Sequence, residues 1–204
     1  MKVLLIDDNE TLIQIYQRIL RAQGHIADIL TDGTKAIETI KTSIPDIILL
    51  DLMMEPVSGW EILTAIRNDS EISDIPIIIL TGKVLTIEEA VQYGLQIDGF
   101  VMKPLERSML VTAVEEIWDI ILECNDRYDR SIAAGLDEEK AQSCRTLHRK
   151  RKMLSYLSDL LIRQEKILNL RPDGNVKLTG AIDELRQIIT TGFNELAQEE
   201  TTCP

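Results

Sequence analysis

The feature that most restricts the fold is confined to the first 104 residues, where short, unbroken apolar runs alternate with longer stretches of helical periodicity. Apolar runs of four or five residues suit strands covered on both faces, and their alternation with helices predicts a parallel sheet with helices on either side. Five strands are predicted, at residues 3–6, 26–30, 47–50, 77–80 and 99–101. Between the first two, Leu12, Ile15, Tyr16, Ile19 and Leu20 recur at spacings of 3, 1, 3 and 1, which predicts one apolar helical face. Pro45, Pro76 and Pro104 mark the edges of elements.

After Leu105 the strand signal stops. Leu110, Val114, Ile117, Ile121, Cys124 and Tyr128 repeat at 4, 3, 4, 3 and 4, so the helix after the fifth strand is expected to continue to about Ala134. Such a helix is too long to be covered by the sheet domain alone. Gly135 is a predicted stop and Asp137 a predicted cap, with Glu138 and Glu139 in the next first turn. The second long helix is expected to reach about Leu170. The sequence Arg171, Pro172, Asp173, Gly174 then reads as a turn, and a third helix runs from Leu178 through Ile182, Leu185, Ile189, Phe193 and Leu196.

The chain is expected to divide into a sheet domain at 1–122, a helical output or dimerisation region at 123–198, and a frayed tail at 199–204.

The net charge is −12 for 204 residues, which argues against a broad basic surface for nucleic acid. Residues 1–104 hold 16 acidic and 8 basic side chains, so the acidity sits mainly in the sheet half. The three cysteines, at 124, 144 and 203, form no paired motif, which suggests neither zinc nor a disulfide framework and fits a reducing cytoplasm. The apolar start ends at Asp7 and Asp8, too soon for a signal peptide or a membrane span.

Five polar positions stand at strand ends. Asp7 and Asp8 follow the first strand, Asp51 the third and Thr81 the fourth, and Lys103 lies just past the fifth. In a doubly wound sheet these places share the carboxyl rim, where ligands bind at the reversal of strand order. Three carboxylates brought together there call for a hard divalent cation, and Mg²⁺ is the economical choice. A carboxylate beside such an ion can attack a phosphoryl group, while a lysine ammonium neutralises charge on its oxygens. Asp51 is the best-placed nucleophile, and the Thr81 hydroxyl can bond a phosphoryl oxygen present only after transfer.

In order and spacing, the acidic pair, the central Asp51, Thr81 and the ending Phe100-x-x-Lys103-Pro104 resemble the receiver domains of two-component response regulators, over roughly residues 1–122. The resemblance implies a five-stranded, flavodoxin-like parallel sheet of order 2-1-3-4-5. It implies an acid pocket of Asp7 and Asp8, phosphorylation of Asp51 by a sensor histidine kinase or phosphotransfer protein, and a metal shell completed by the Met53 backbone carbonyl. It further implies that Phe100 is an aromatic switch coupled to Thr81. Apart from Mg²⁺-dependent self-phosphorylation and autodephosphorylation, no enzymatic activity is expected.

The sequence departs from the family at Glu55, which stands where proline is usual, with Pro56 after it; Gly59 keeps its spacing of eight from Asp51. Lys83 and Met53 occupy places that influence phosphoryl lifetime in the family, and Gly82 keeps access to the site.

Plainer readings exist for several of these residues. Asp7, Asp8 or Asn9 could cap the first helix, and Phe100 could simply pack. The haloacid-dehalogenase-like phosphatases also use an aspartyl phosphate, but they carry a second Asp where Met53 stands.

In the helical half, Leu147, Leu154, Leu161 and Leu168 are spaced by sevens beside Arg145 and the run Arg149, Lys150, Arg151, Lys152, which invites a DNA-binding reading of residues 145–152. The other core position of each heptad would be Cys144, Arg151, Ser158 and Glu165, a poor seam. Met153, Leu157, Leu160 and Ile167 instead widen the stripe into a bundle face. A protein partner or a homodimer through these helices is the favoured expectation, with neither nucleic acid nor membrane. His148 reads as a surface histidine in a basic stretch.

Overall fold

The computed structural model describes residues 1–82, 89, 92–93, 96–103, 107–169, 186–194 and 196. Lys83, Pro104, the turn at 171–174, the beginning of the third long helix and the tail at 199–204 lie outside them. The chain divides into two compact units, Met1–Val84 with Gln96–Glu115, and Leu85–Leu95 with Glu116–Pro204.

The first unit is a five-stranded parallel sheet of order β2-β1-β3-β4-β5. Its strands are β1 (Lys2–Ile6), β2 (Ile26–Leu30), β3 (Ile47–Asp51), β4 (Ile77–Thr81) and β5 (Gly99–Met102). These match the predicted runs to within one residue: β1 begins at Lys2, β5 ends at Met102, and Asp51 and Thr81 are the last residues of their strands rather than the first beyond them. Every residue of β3 and β4 is buried, as expected of central strands covered on both faces. Burying each of their Ile and Leu side chains contributes roughly 1.5–3 kcal/mol.

The helices are α1 (Glu10–Ala22), α2 (Ala36–Ser43, after a short 3₁₀ turn at Gly33–Lys35), α3 (Gly59–Arg67), α4 (Arg107–Ala133) and α5 (Glu138–Asn169). Because crossovers between parallel strands are right-handed, the reversal of direction after β2 puts α1 on one face and α2 and α3 on the other. The switch in strand order falls between β1 and β3.

Helix α1 buries Ile13, Tyr16 and Leu20, while Ile15 is 46% exposed. The predicted face was therefore one position off: Ile13, not Ile15, completes the stripe at spacings of 3 and 4. Gly24, at φ +85°, ends this helix, with Gly24 N–H bonded to Arg21 O and His25 N–H to Leu20 O. At the amino rim, Arg67 ties α3 to the last two strands through Gln96 O, Ser73 O, Ile75 O and the Asp98 carboxylate, which also accepts Ile77 N–H.

In the second unit α4 and α5 form an antiparallel hairpin. Glu116 receives Arg163 at 3.0 and 3.2 Å, Glu123 receives Lys152 at 2.9 Å, and Arg145 lies over the Tyr128 ring and donates to Asn125. The predicted stop and cap both form. Gly135, at φ +90°, carries bonds back to Ile132 O and Ser131 O through Gly135 N–H and Leu136 N–H, and Asp137 accepts Lys140 N–H.

On α4, Leu110, Val114, Ile117 and Cys124 are buried, following the predicted period. On α5, Met153, Leu154, Tyr156, Leu157 and Leu160 are all buried, too wide an arc for a two-stranded seam and suited to a bundle. The side chains of Leu161 and Leu168 lie outside the described set. Residues 186–194 are helical, and Ile189 is buried among them.

Cys124 is a free, buried thiol, but Cys144 is disulfide-bonded. One bonded cysteine is not a disulfide framework, but the odd and widely spaced set did not suggest it. Among the described residues no helix is long and apolar enough to cross a membrane.

Candidate functional site

The strand register brings the predicted residues to one rim. Ile6 pairs with Leu50, Asp51 with Leu80, and Thr81 with Met102, so Asp7, Asp51, Thr81 and Lys103 all emerge at the carboxyl edge of adjacent strands. One ligand oxygen from each of Asp7, Asp8 and Asp51 lies within 4.8 Å of the others. Asp7, Asp51 and Thr81 are 1%, 4% and 1% exposed, whereas Asp8 is open to solvent.

The capping alternative is settled by the hydrogen bonds. Asn9 is the cap of α1, its Oδ1 accepting Leu12 N–H at 3.1 Å. Asp7 steadies that cap by accepting Asn9 N–H on Oδ1 and keeps Oδ2 for the site. Asp8 takes no part in capping and instead accepts Glu55 N–H at 3.3 Å. The aspartates are therefore free to act as a carboxylate pair while a third residue closes the helix.

Lys103 is the cation of the cluster. Its Nζ lies 2.6 Å from Asp7 Oδ2 and 2.9 Å from Asp51 Oδ1, and its backbone N–H binds Thr81 O at 2.7 Å. Asp51 Oδ1 is buried against the Lys103 ammonium, and the Met53 backbone N–H also binds the Asp51 carboxylate. Burial pushes the Asp51 carboxyl above its ordinary range, and the Lys103 ammonium opposes that. Among the described residues three carboxylates face one ammonium, an excess of negative charge that fits a hard, oxygen-seeking cation.

Phe100 is buried in β5, level with Ile79. The Met53 side chain is 61% exposed.

Two contributors to the site were not predicted. A Cβ on Gly59 would stand 2.1 Å from Asp51 O and 2.8 Å from Leu52 Cα, so the first residue of α3 packs directly on the backbone of the acceptor. Ser58 and Glu61 hold α3 there through a reciprocal capping box. The signal available was the spacing of Gly59 from Asp51, but spacing carries no distance. The second is Glu55, whose N–H meets Asp8 from a loop that contains a cis peptide before Pro56.

Residues 3–115 match the family described as the response regulator receiver domain. The chain is similar to the DNA-binding response regulator MtrA of Mycobacterium tuberculosis (strain ATCC 25618 / H37Rv), with 31% identity over 113 residues, 55% of this chain and 48% of that one. It is also similar to the transcriptional regulatory protein DltR of Streptococcus agalactiae serotype III (strain NEM316), with 30% identity over 114 residues, 56% of this chain and 50% of that one. The chain thus spans about half the length of the curated relatives it matches. Among solved structures, chemotaxis protein CheY4 of Vibrio cholerae superposes with a TM-score of 0.52 at 25% identity, covering 56% of this chain and 95% of that one. The same sheet order, the same rim and a family match over more than half the chain agree: this chain belongs to the response regulator receiver family.

Proposed function

We propose that the chain is a phosphoacceptor of a two-component phosphorelay, taking a phosphoryl group on Asp51 in a Mg²⁺-dependent self-reaction. The observation that carries this reading is the cluster at the rim, in which buried Asp51 has a ligand oxygen within 4.8 Å of those of Asp7 and Asp8 and its Oδ1 pairs with Lys103 at 2.9 Å. Asp7, Asp8 and Asp51, with the Met53 carbonyl, would hold Mg²⁺, which when bound supplies positive charge against the phosphoryl oxygens.

An Asp51 carboxylate oxygen attacks phosphorus, and a new P–O bond forms as the donor's P–N or P–O bond breaks and its leaving group departs with the electron pair. Lys103, already 2.9 Å from the nucleophile, stays to neutralise the transferred group. The Thr81 hydroxyl donates to a phosphoryl oxygen, and Phe100 repacks as Thr81 moves. Attack of water on phosphorus breaks the P–O bond to Asp51, releasing inorganic phosphate and restoring the carboxylate. The donor is a sensor histidine kinase or phosphotransfer protein, and no further enzymatic activity is proposed.

Output is inferred to pass along α4, which contributes residues to both compact units, to a protein partner or a second copy of the chain. A second reading, DNA binding through residues 145–152, is favoured by the exposure of Lys150 and Arg151 and by the names of the two relatives. A gel shift whose affinity falls steeply with salt would support that reading, and no shift at low salt would remove it. The cytoplasm is the proposed setting, and the Cys144 disulfide is the feature that runs against it.

Incubation with MgCl₂ and acetyl phosphate, followed by intact-mass measurement, tests the central reading. One added phosphoryl group, absent from Asp51→Asn and absent with EDTA, is expected. No adduct on the wild type, together with no binding of beryllofluoride, would refute it.

A further inference from the structure

We propose that Glu55 tunes the affinity of the carboxylate site for its divalent cation, acting as an additional negative charge outside the ligand set. The inference rests on the reading of Asp7, Asp8 and Asp51 as cation ligands and goes beyond it by assigning a role to a residue that is not one of them.

The charges in the cluster are unevenly balanced. Lys103 reaches Asp7 at 2.6 Å and Asp51 at 2.9 Å, which neutralises the buried side. Asp8 lies on the open side, and among the described residues neither it nor Glu55 has an ion pair. The Glu55 N–H bond to Asp8 Oδ2, at 3.3 Å, fixes the backbone of Glu55 against this unbalanced carboxylate. The Glu55 side chain is exposed, and the short reach of a glutamate side chain keeps its carboxylate in the neighbourhood of the Asp8 to which its own backbone is bonded. Three carboxylates with ligand oxygens within 4.8 Å of one another, facing one ammonium among the described residues, mark the cluster as a place for a cation.

Mg²⁺ would keep several waters when bound by few carboxylates, and Asp8 is the carboxylate of the cluster that is open to solvent. A carboxylate anchored there can attract the ion through space and accept hydrogen bonds from its waters without displacing them. An acid roughly 6–8 Å from a divalent ion in exposed surroundings strengthens binding on the order of five- to ten-fold at very low salt. Because the Debye length is about 8 Å near 0.15 M salt, the gain shrinks to about two-fold there. Salt dependence thus separates through-space tuning from direct ligation, which would persist at high salt.

The test is a cation titration of the full chain that does not depend on activity. MnCl₂ is added to wild type, Glu55→Gln, Glu71→Gln and Asp51→Asn at about 10 mM and 150 mM NaCl; free Mn²⁺ is read by its paramagnetic resonance, and MgCl₂ by competition. Glu71 is an exposed residue paired with Lys41 in the loop before β4, at the opposite rim, and controls for the loss of one charge. Glu55→Gln is expected to weaken binding about five-fold at low salt and about two-fold at the higher salt, while Glu71→Gln matches wild type.

Equal affinity of Glu55→Gln and wild type at low salt would overturn the role of Glu55 and leave the aspartate site standing. A loss that is undiminished at 150 mM NaCl would overturn through-space tuning in favour of direct ligation. Wild type that binds no more Mn²⁺ than Asp51→Asn would instead sink the cation site itself.

Discussion

Gly59→Ala is the substitution that should separate the fold of the sheet unit from the placement of its acceptor. Gly59 does not have one of the positive φ angles found at Gly24 and Gly135, so its backbone conformation tolerates alanine and only space is at issue. The added Cβ would lie 2.1 Å from Asp51 O and 2.8 Å from Leu52 Cα, and both neighbours are backbone atoms that no side-chain rotation can clear. To reach tolerable contact, α3 and the end of β3 must separate by about 1 Å. β3 is buried between β1 and β4, so the movement falls on α3, on the loop from Leu52 to Ser58 and on Asp51, the last residue of the strand, whose own carbonyl the Cβ meets.

Overpacking of this kind costs about 1–3 kcal/mol, or roughly 5–20 °C in melting temperature for a unit of this size. A displacement near 1 Å at a reacting group can cost on the order of 10²-fold in rate. Initial rates of adduct formation with acetyl phosphate at saturating Mg²⁺, measured beside thermal melts, read the two effects separately. Gly82→Ala is the contrast, since its Cβ would meet only Lys103 Cβ at 3.9 Å and should leave the melt unchanged. A Gly59→Ala protein that forms the adduct within about two-fold of wild type and melts with it would refute the claim that α3 sets the position of Asp51.

Lys103→Met removes the one ammonium between two buried carboxylates; it should destabilise the metal-free protein by about 3–5 kcal/mol and make added MgCl₂ raise its melting temperature more than it raises that of wild type. Asn9→Ala should cost about 1 kcal/mol through the lost cap of α1, yet still give the Mg²⁺-dependent adduct; loss of the adduct in a folded variant would mean that capping and ligation are not separate. His148 is held below its ordinary value of 6.5, first by burial and then by Arg127 and Lys152, with Glu123 pulling the other way. The unfolded chain therefore takes up a proton before the folded one, so stability should fall as pH drops below 6.5 until the lowered folded value is passed; melts of His148→Gln should lose that slope, and an unchanged slope would refute the assignment. Glu123→Lys should loosen the α4–α5 hairpin by under about 1 kcal/mol, and Lys152→Glu added to it should restore the melt, as a double-mutant cycle would show.

The sheet was legible because its strands are buried on both faces, which leaves continuous apolar runs that end where the polar site begins. That is also why Asp51 and Thr81 could be placed at the rim from the sequence, and why the boundaries shifted by a single residue: each polar residue, though buried, still pairs in the ladder. The face of α1 was harder to read. Between Leu12 and Leu20 the apolar residues cover more arc than one sheet can bury, and spacing alone cannot say whether Ile13 or Ile15 takes the inner position. The allocation of Asp7, Asp8 and Asn9 was hidden for a similar reason. All three can cap, and the choice is made by loops far along the chain: Lys103 draws Asp7, Glu55 N–H draws Asp8, and Asn9 is left to the helix.

The helical half shows how a charge pattern can support two readings until a second helix is placed beside it. Residues 138–169 carry eight basic and four acidic side chains, and the run at 149–152 is locally as basic as a nucleic-acid contact. Residues 107–133 carry six acidic and three basic ones, and the antiparallel pairing sets Glu116 against Arg163 and Glu123 against Lys152. Each such pair is partly exposed and contributes little to stability on its own. What the pattern does instead is select a register, since sliding one helix past the other by a turn would carry these acids off their partners while the apolar stripe could still pack. Part of the basic run is thereby committed to the hairpin, through Lys152 to Glu123 and Arg145 to Asn125 and Tyr128. Within the run at 149–152 the exposed members are Lys150 and Arg151, a smaller and more local surface than the sequence alone implied.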